Sequence, residues 1–92
     1  MTMAKAPTIT QFKYKGGVLI RSAALSWRPG KWPLGPGSVA TVTAGPSSGF
    51  LNSATYLTIT TPEGEVLVIE AWSRSEVAKA HKMAAQITAD AR

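Results

Sequence analysis

Trp72-Ser73-Arg74-Ser75-Glu76-Val77 marks the start of a helix directly after an apolar run, and this feature constrains the fold of the chain most. The Ser73 side chain is spaced to accept from the Glu76 amide, and the Glu76 carboxylate to reach back to the Ser73 amide. Trp72 can staple onto Val77 across the cap. The spacing predicts a helix over residues 73 to 91. At 100° per residue it gathers Val77, Ala80, Ala84, Ile87, Thr88 and Ala91 on one arc, with Lys79, Lys82, Gln86 and Asp90 opposite. Small residues on the buried arc let the helix backbone approach a sheet closely. Everything upstream carries strand and turn signals, so the order is strands first and one helix last. That order defines an α+β, mainly β chain: a small antiparallel sheet or barrel of roughly six to seven strands closed by a C-terminal helix.

The upstream segments follow from alternation and punctuation. Residues 8 to 15 alternate, with Ile9, Phe12 and Tyr14 as anchors and a bulge near Gln11. Gly16-Gly17 signals a turn. Val18 to Arg21 and Ala24 to Trp27 then read as two strand segments joined at Ser22-Ala23, or as one long bent strand. Arg28 to Gly37 holds three prolines and three glycines, a structured loop with at most a short extended piece at Lys31 to Leu34. Ser38 to Ala44 suits a strand with one buried face, and Gly45 to Ser53 is a second loop. Thr55 to Thr61 and Glu65 to Trp72 form a hairpin around Thr61-Pro62-Glu63-Gly64. In the latter strand Leu67 and Ile69 share one face and Val66, Val68 and Trp72 the other, the pattern of a strand that is central or partly covered on both sides.

Ninety-two residues suffice for one small domain, residues 1 to 92, in which residues 1 to 7 read as a flexible tail. The helix and strands share one core, which leaves little apolar material for a deep substrate pocket. The absence of cysteine removes disulfides, thiolate catalysis and cysteine-ligated metals together. No stretch approaches the roughly 20 apolar residues of a membrane span, and no signal-peptide block opens the chain, so a cytoplasmic protein without a transmembrane segment is expected. Fourteen alanines with many threonines and glycines match the usage of a GC-rich genome, as in an accessory protein of an actinobacterium or one of its phages. Charge is uneven. The first 62 residues carry Lys5, Lys13, Lys15, Arg21, Arg28 and Lys31 and no acid, whereas both signs occur from Glu63 onward. Clustered cations suit an anionic partner, and they also suit a solvated, solubilising face.

The succession of strands at about 9 to 14, 18 to 21, 24 to 28, 39 to 43, 55 to 61 and 65 to 71, then one capped helix, resembles pleckstrin-homology-like domains. The Pro33-Leu34 step before Val39 and Val42, the Leu57-Ile59 strand, the Pro62-Glu63-Gly64 turn and the Val66 to Ile69 strand also resemble small bacterial members and the related GRAM type. The resemblance covers residues 9 to 91. It implies a small barrel that binds anionic headgroups, peptides or proteins without catalytic machinery. The phosphoinositide-binding type clusters Lys and Arg between its first two strands, where this chain has Lys13, Lys15 and the more distant Arg21.

Trp27-Arg28-Pro29-Gly30-Lys31-Trp32 sets two indoles and two cations in a stiffened loop. Trp32 can anchor a partner with Arg28 and Lys31 at its rim, since interfaces favour Trp and Arg, or fold back over the barrel mouth while Trp27 enters the core. Of the two, Trp32 is the one expected to be exposed. Phe50 and Leu51 either form an exposed apolar tip or plug the barrel end. His81, without a second histidine, reads as a partly packed structural residue. The glycine-rich segments lack the Lys-Ser/Thr pair and following helix of a phosphate loop. No acid pair suits general acid–base work and no nucleophile accompanies the histidine, so neither an enzyme nor a cofactor is expected. The resulting expectation is a noncatalytic binding or adaptor module that recognises a protein partner through loops 28 to 37 and 45 to 53, with Arg28, Lys31, Trp32, Phe50 and Leu51 in contact. The alternative is a small basic barrel that binds nucleic acid or anionic membrane through Lys13, Lys15, Arg21, Arg28 and Lys31. The oligomeric state is not legible.

Overall fold

The computed structural model describes residues 6–24, 27–46 and 53–92. Its elements are β1 (Phe12–Lys15), β2 (Val18–Arg21), β3 (Gly30–Pro33), β4 (Val39–Pro46), β5 (Ser53–Thr60), β6 (Val66–Ala71) and α1 (Arg74–Asp90), with a 3-10 turn at Ile9–Gln11 before β1. They form two separate three-stranded antiparallel sheets, ordered β1-β2-β3 and β4-β5-β6. Among the described residues the protein is α+β, mainly β, with six strands, two unclosed sheets and one C-terminal helix.

Local chemistry explains each hairpin. Gly16 and Gly17 both adopt positive φ, 60° and 79°, as a two-residue turn matched to strand twist demands at both central positions. Lys15 is thereby paired with Val18, Lys13 with Ile20 and Phe12 with Arg21. At the β5–β6 turn Thr61 N–H donates to Glu65 O at 2.8 Å and Gly64 N–H to Thr61 O at 2.9 Å, with Gly64 at φ 92°. The Thr61 hydroxyl also accepts from Glu65 N–H at 3.0 Å. The helix start forms as its spacing dictates. Glu76 N–H donates to Ser73 Oγ at 3.2 Å, and Ser73 N–H to Glu76 Oε1 at 3.0 Å. Trp72, in contrast, remains 40% exposed.

Several segments differ from their sequence signals. The bulge expected near Gln11 is a 3-10 turn, closed where Thr8 N–H donates to Gln11 Oε1 at 2.9 Å. Ala24 and Trp27 exchange backbone hydrogen bonds of 3.0 and 3.1 Å, which folds the chain back on itself there and does not prolong β2. The short extended piece expected at Lys31 to Leu34 is the strand β3, Gly30–Pro33, set within the Pro/Gly-rich loop. It lies at the sheet edge, where Pro33 as its last residue forfeits no ladder bond. β6 is also an edge strand and β5 is the central one; Val66 and Val68, on the face of β6 turned away from the core, are exposed. Pro7 covers only the far end of β6, accepting a 2.8 Å bond from Glu70 N–H. That contact also ties down residue 7 of the expected tail; residues 1–5 lie outside the described residues.

The inner faces of both sheets meet α1 in one core of Ile9, Phe12, Leu19, Leu57, Ile59, Ile69 and Ile87, all essentially without exposed surface, joined by Leu34, Ala80, Met83 and Ala84. Each such large side chain contributes about 1.5–3 kcal/mol relative to exposure. α1 lies mainly across β4 and β5. Its buried stripe is Ala80, Met83, Ala84 and Ile87, so Met83 joins the arc whereas Thr88 and His81 are exposed.

Candidate anion-binding site

The strand register sorts the early cations onto two faces. Lys13 pairs with Ile20 and Ile20 with Lys31, while Lys15 pairs with Val18 and Val18 with Pro33. Because paired residues share a face, Lys13, Lys15 and Lys31 all stand on the outward side of the first sheet, around Val18 and Ile20. Phe12, Tyr14, Leu19, Arg21 and Trp32 occupy the opposite, inner side.

Arg21 is built into that inner side. Its guanidinium lies 5.6 Å from the Trp27 ring centroid and 5.1 Å from that of Trp32, and its Nε donates to Arg28 O at 2.8 Å. Trp32 is half-buried, not exposed. Its ring stands 6.2 Å from Phe12, and its Nε1–H donates to Glu65 Oε2 at 3.1 Å. Gly30 makes room for that ring, since a Cβ there would meet Trp32 Cη2 at 2.6 Å. Trp27 is likewise half-buried. Trp32 thus packs against the scaffold with part of its surface open, while Arg28 and Lys31 remain exposed. Phe50, Leu51 and most of the 45 to 53 loop lie outside the described residues.

Lys13 and Lys15 have a second set of neighbours. A groove of about 540 Å³ separates β1 from α1, lined by Lys13, Tyr14, Lys15 and Gly16 on one side and Lys79, Lys82, Met83, Gln86 and Asp90 on the other. The helix contribution follows from spacing: positions 79, 82, 83, 86 and 90 recur at three- and four-residue intervals and form one stripe. Four lysines face one acid, a net of three positive charges. That acid is occupied, with Asp90 Oδ2 accepting from the Tyr14 hydroxyl at 2.7 Å and Oδ1 from Gln86 Nε2 at 3.2 Å. Burial, and then the hydrogen bond and charge of Asp90, push the Tyr14 phenol up to about 12, so it stays protonated and donating at neutral pH. Lys79 and Lys82 are the functional candidates that the sequence hid, because on a helical wheel they belong to the solvent arc.

Among the described residues, the groove is lined by charged and polar side chains, one aromatic ring and Met83. Among the described residues there is no cluster of three or more metal-ligating side chains. No helix among them is long and apolar enough to cross a membrane. Comparison of the chain with protein-family models, with curated proteins and with solved structures finds no match.

Proposed function

We propose that this chain is a noncatalytic binding module, of pleckstrin-homology-like plan, that recognises an acidic segment of a protein partner. The observation that carries this reading is the convergence of Lys13, Lys15, Lys79 and Lys82 on one groove whose single acid is already hydrogen-bonded. Lys31 and Arg28 extend the positive field beyond the groove and steer an anionic partner toward it. The two three-stranded sheets and the closing helix support the architectural part. A protein is favoured over single-stranded nucleic acid because stacking platforms need open aromatic faces. Among the described residues Tyr14 is the only ring lining the groove, and its hydroxyl is held by Asp90.

The test is fluorescence anisotropy with labelled short polyglutamate, a labelled single-stranded oligonucleotide and phosphatidylserine vesicles, each at low and at physiological salt. Polyglutamate should bind, weaken with salt, and lose at least about tenfold in affinity in the double variant Lys79→Glu/Lys82→Glu. Binding that this variant leaves unchanged, or tighter binding of the oligonucleotide or vesicles than of polyglutamate, overturns the reading.

A further inference from the structure

β1 is the outer strand of its sheet, and its open edge borders the groove. Which backbone groups face that edge follows from the hairpin. Lys15 and Val18 close a two-residue turn, and Gln11 O accepts from Ser22 N–H at 2.8 Å, so residues 11, 13 and 15 direct their amides and carbonyls at β2. Residues 12 and 14 direct theirs the other way. The Phe12 N–H is satisfied by Ile9 O. Tyr14 makes no backbone hydrogen bond outside its own sheet among the described residues, so its N–H and C=O are presented to the groove.

We infer that the groove takes its ligand as an added β-strand, an extended peptide that pairs with the open edge of β1 at Tyr14. Main-chain bonds of this kind supply affinity without regard to sequence, and alternate side chains supply specificity. The four residues of β1 offer roughly 13 Å of edge, enough for three or four ligand residues. A ligand residue opposite Tyr14 shares the inward face with it, toward Met83, which favours an apolar side chain. The residues before and after it share the outward face with Lys13 and Lys15, where cross-strand pairing favours Asp or Glu. Lys79 and Lys82 add positive charge from the far wall. The ligand class is therefore an acidic–apolar–acidic extended segment. An open edge is otherwise a liability for self-pairing, and the lysines at 13 and 15 protect it against a second copy while admitting a strand of opposite charge.

This inference rests on the proposed acidic-partner reading, and its test separates the two. The probe is a labelled peptide with Glu-Val-Glu at its centre between Gly-Ser flanks, together with a Glu-Glu-Val isomer of identical charge. Two further versions are N-methylated, one at the valine and one at the following glutamate. In an added strand, amides alternate between facing β1 and facing away. One N-methyl version should therefore bind about fivefold or more weakly, whereas the other binds as the parent does. Hydrogen exchange at the Tyr14 amide should slow on binding. The Glu-Val-Glu peptide should also exceed its isomer in affinity. Equal affinity of the two N-methyl versions, with an unprotected Tyr14 amide, overturns strand addition; if polyglutamate still binds in a Lys79- and Lys82-dependent way, the acidic-partner reading survives it. Loss of all peptide binding overturns both.

Discussion

Arg21 tests whether a cation in the basic half of the chain belongs to a ligand site or to the scaffold. Its guanidinium addresses two indoles, at 5.6 and 5.1 Å, and its Nε bonds the Arg28 carbonyl at 2.8 Å. Each cation–π contact at a partly exposed site contributes about 0.5–1 kcal/mol. The hydrogen bond, solvent-accessible and so at the low end for a charged donor, adds about 1 kcal/mol. Arg21→Ala should therefore destabilise the fold by about 2 kcal/mol, more if the aliphatic stem also packs. For a domain of this size that lowers Tm by on the order of 10 °C. Arg21→Lys keeps the charge but loses the planar fork and the Nε bond, so it should recover at most about half of the loss. The assay is thermal unfolding followed by circular dichroism, paired with polyglutamate anisotropy at a temperature where every variant is folded. Folded Arg21→Ala should bind polyglutamate within about twofold of the parent, since its charge lies on the opposite side of the sheet from Lys13 and Lys15. A Tm within about 2 °C of the parent, or a binding loss as large as that of the Lys79/Lys82 double variant, refutes the assignment of Arg21 to the scaffold.

Ser73→Ala removes the oxygen that accepts from Glu76 N–H and should lower stability by about 1 kcal/mol, read as a Tm drop of about 4–8 °C; no change would show that the cap is redundant. Tyr14 predicts a specific alkaline behaviour. Its phenol is raised from 10.0 to about 12 in the fold, so the folded state holds the proton more tightly than the unfolded chain. The associated stability is fully present below pH 10 and is lost as pH rises toward 12. Tyr14→Phe should abolish that component and remove a late-titrating tyrosinate absorbance. A Tyr14 that titrates near 10 in the folded protein would contradict its burial against Asp90.

Features written in adjacent residues were legible in the sequence, and features created by distant pairing were not. The Ser73–Glu76 cap, the Gly16-Gly17 turn and the Thr61–Gly64 hairpin each satisfy their hydrogen bonds within a few positions. Pattern was therefore enough to locate them. β3 was legible only as a short extended piece at Lys31 to Leu34, because its prolines exclude a central strand but permit an edge one, and edge status depends on β2. β6 reads from its apolar run as central or partly covered on both sides; it is an edge strand whose outward face is open at Val66 and Val68 and covered at Glu70, where Thr8 bridges to it. At the candidate groove, Lys13 and Lys15 stood out in the sequence by charge alone, whereas Lys79 and Lys82, which line the same groove, did not. Helical periodicity correctly assigns those two to the polar arc; only the tertiary path that brings β1 alongside turns that arc into a wall. For Trp32 the sequence left both a partner anchor and a fold-back over the barrel mouth open, and its packing beside Phe12 and bond to Glu65 depend on distant strands that composition does not reveal.

Each sheet is assembled from consecutive hairpins, so most strand pairing joins near neighbours and can form early and quickly. The Tyr14–Asp90 bond, spanning 76 positions, belongs to a different stage. It closes the first hairpin against the end of the helix only after the loop-closure entropy of nearly the whole chain has been overcome. Because the groove has one wall from each of those ends, it exists only when the two are packed together. On the proposed reading, a chain in which that packing is broken loses the groove and, with it, affinity for an acidic ligand.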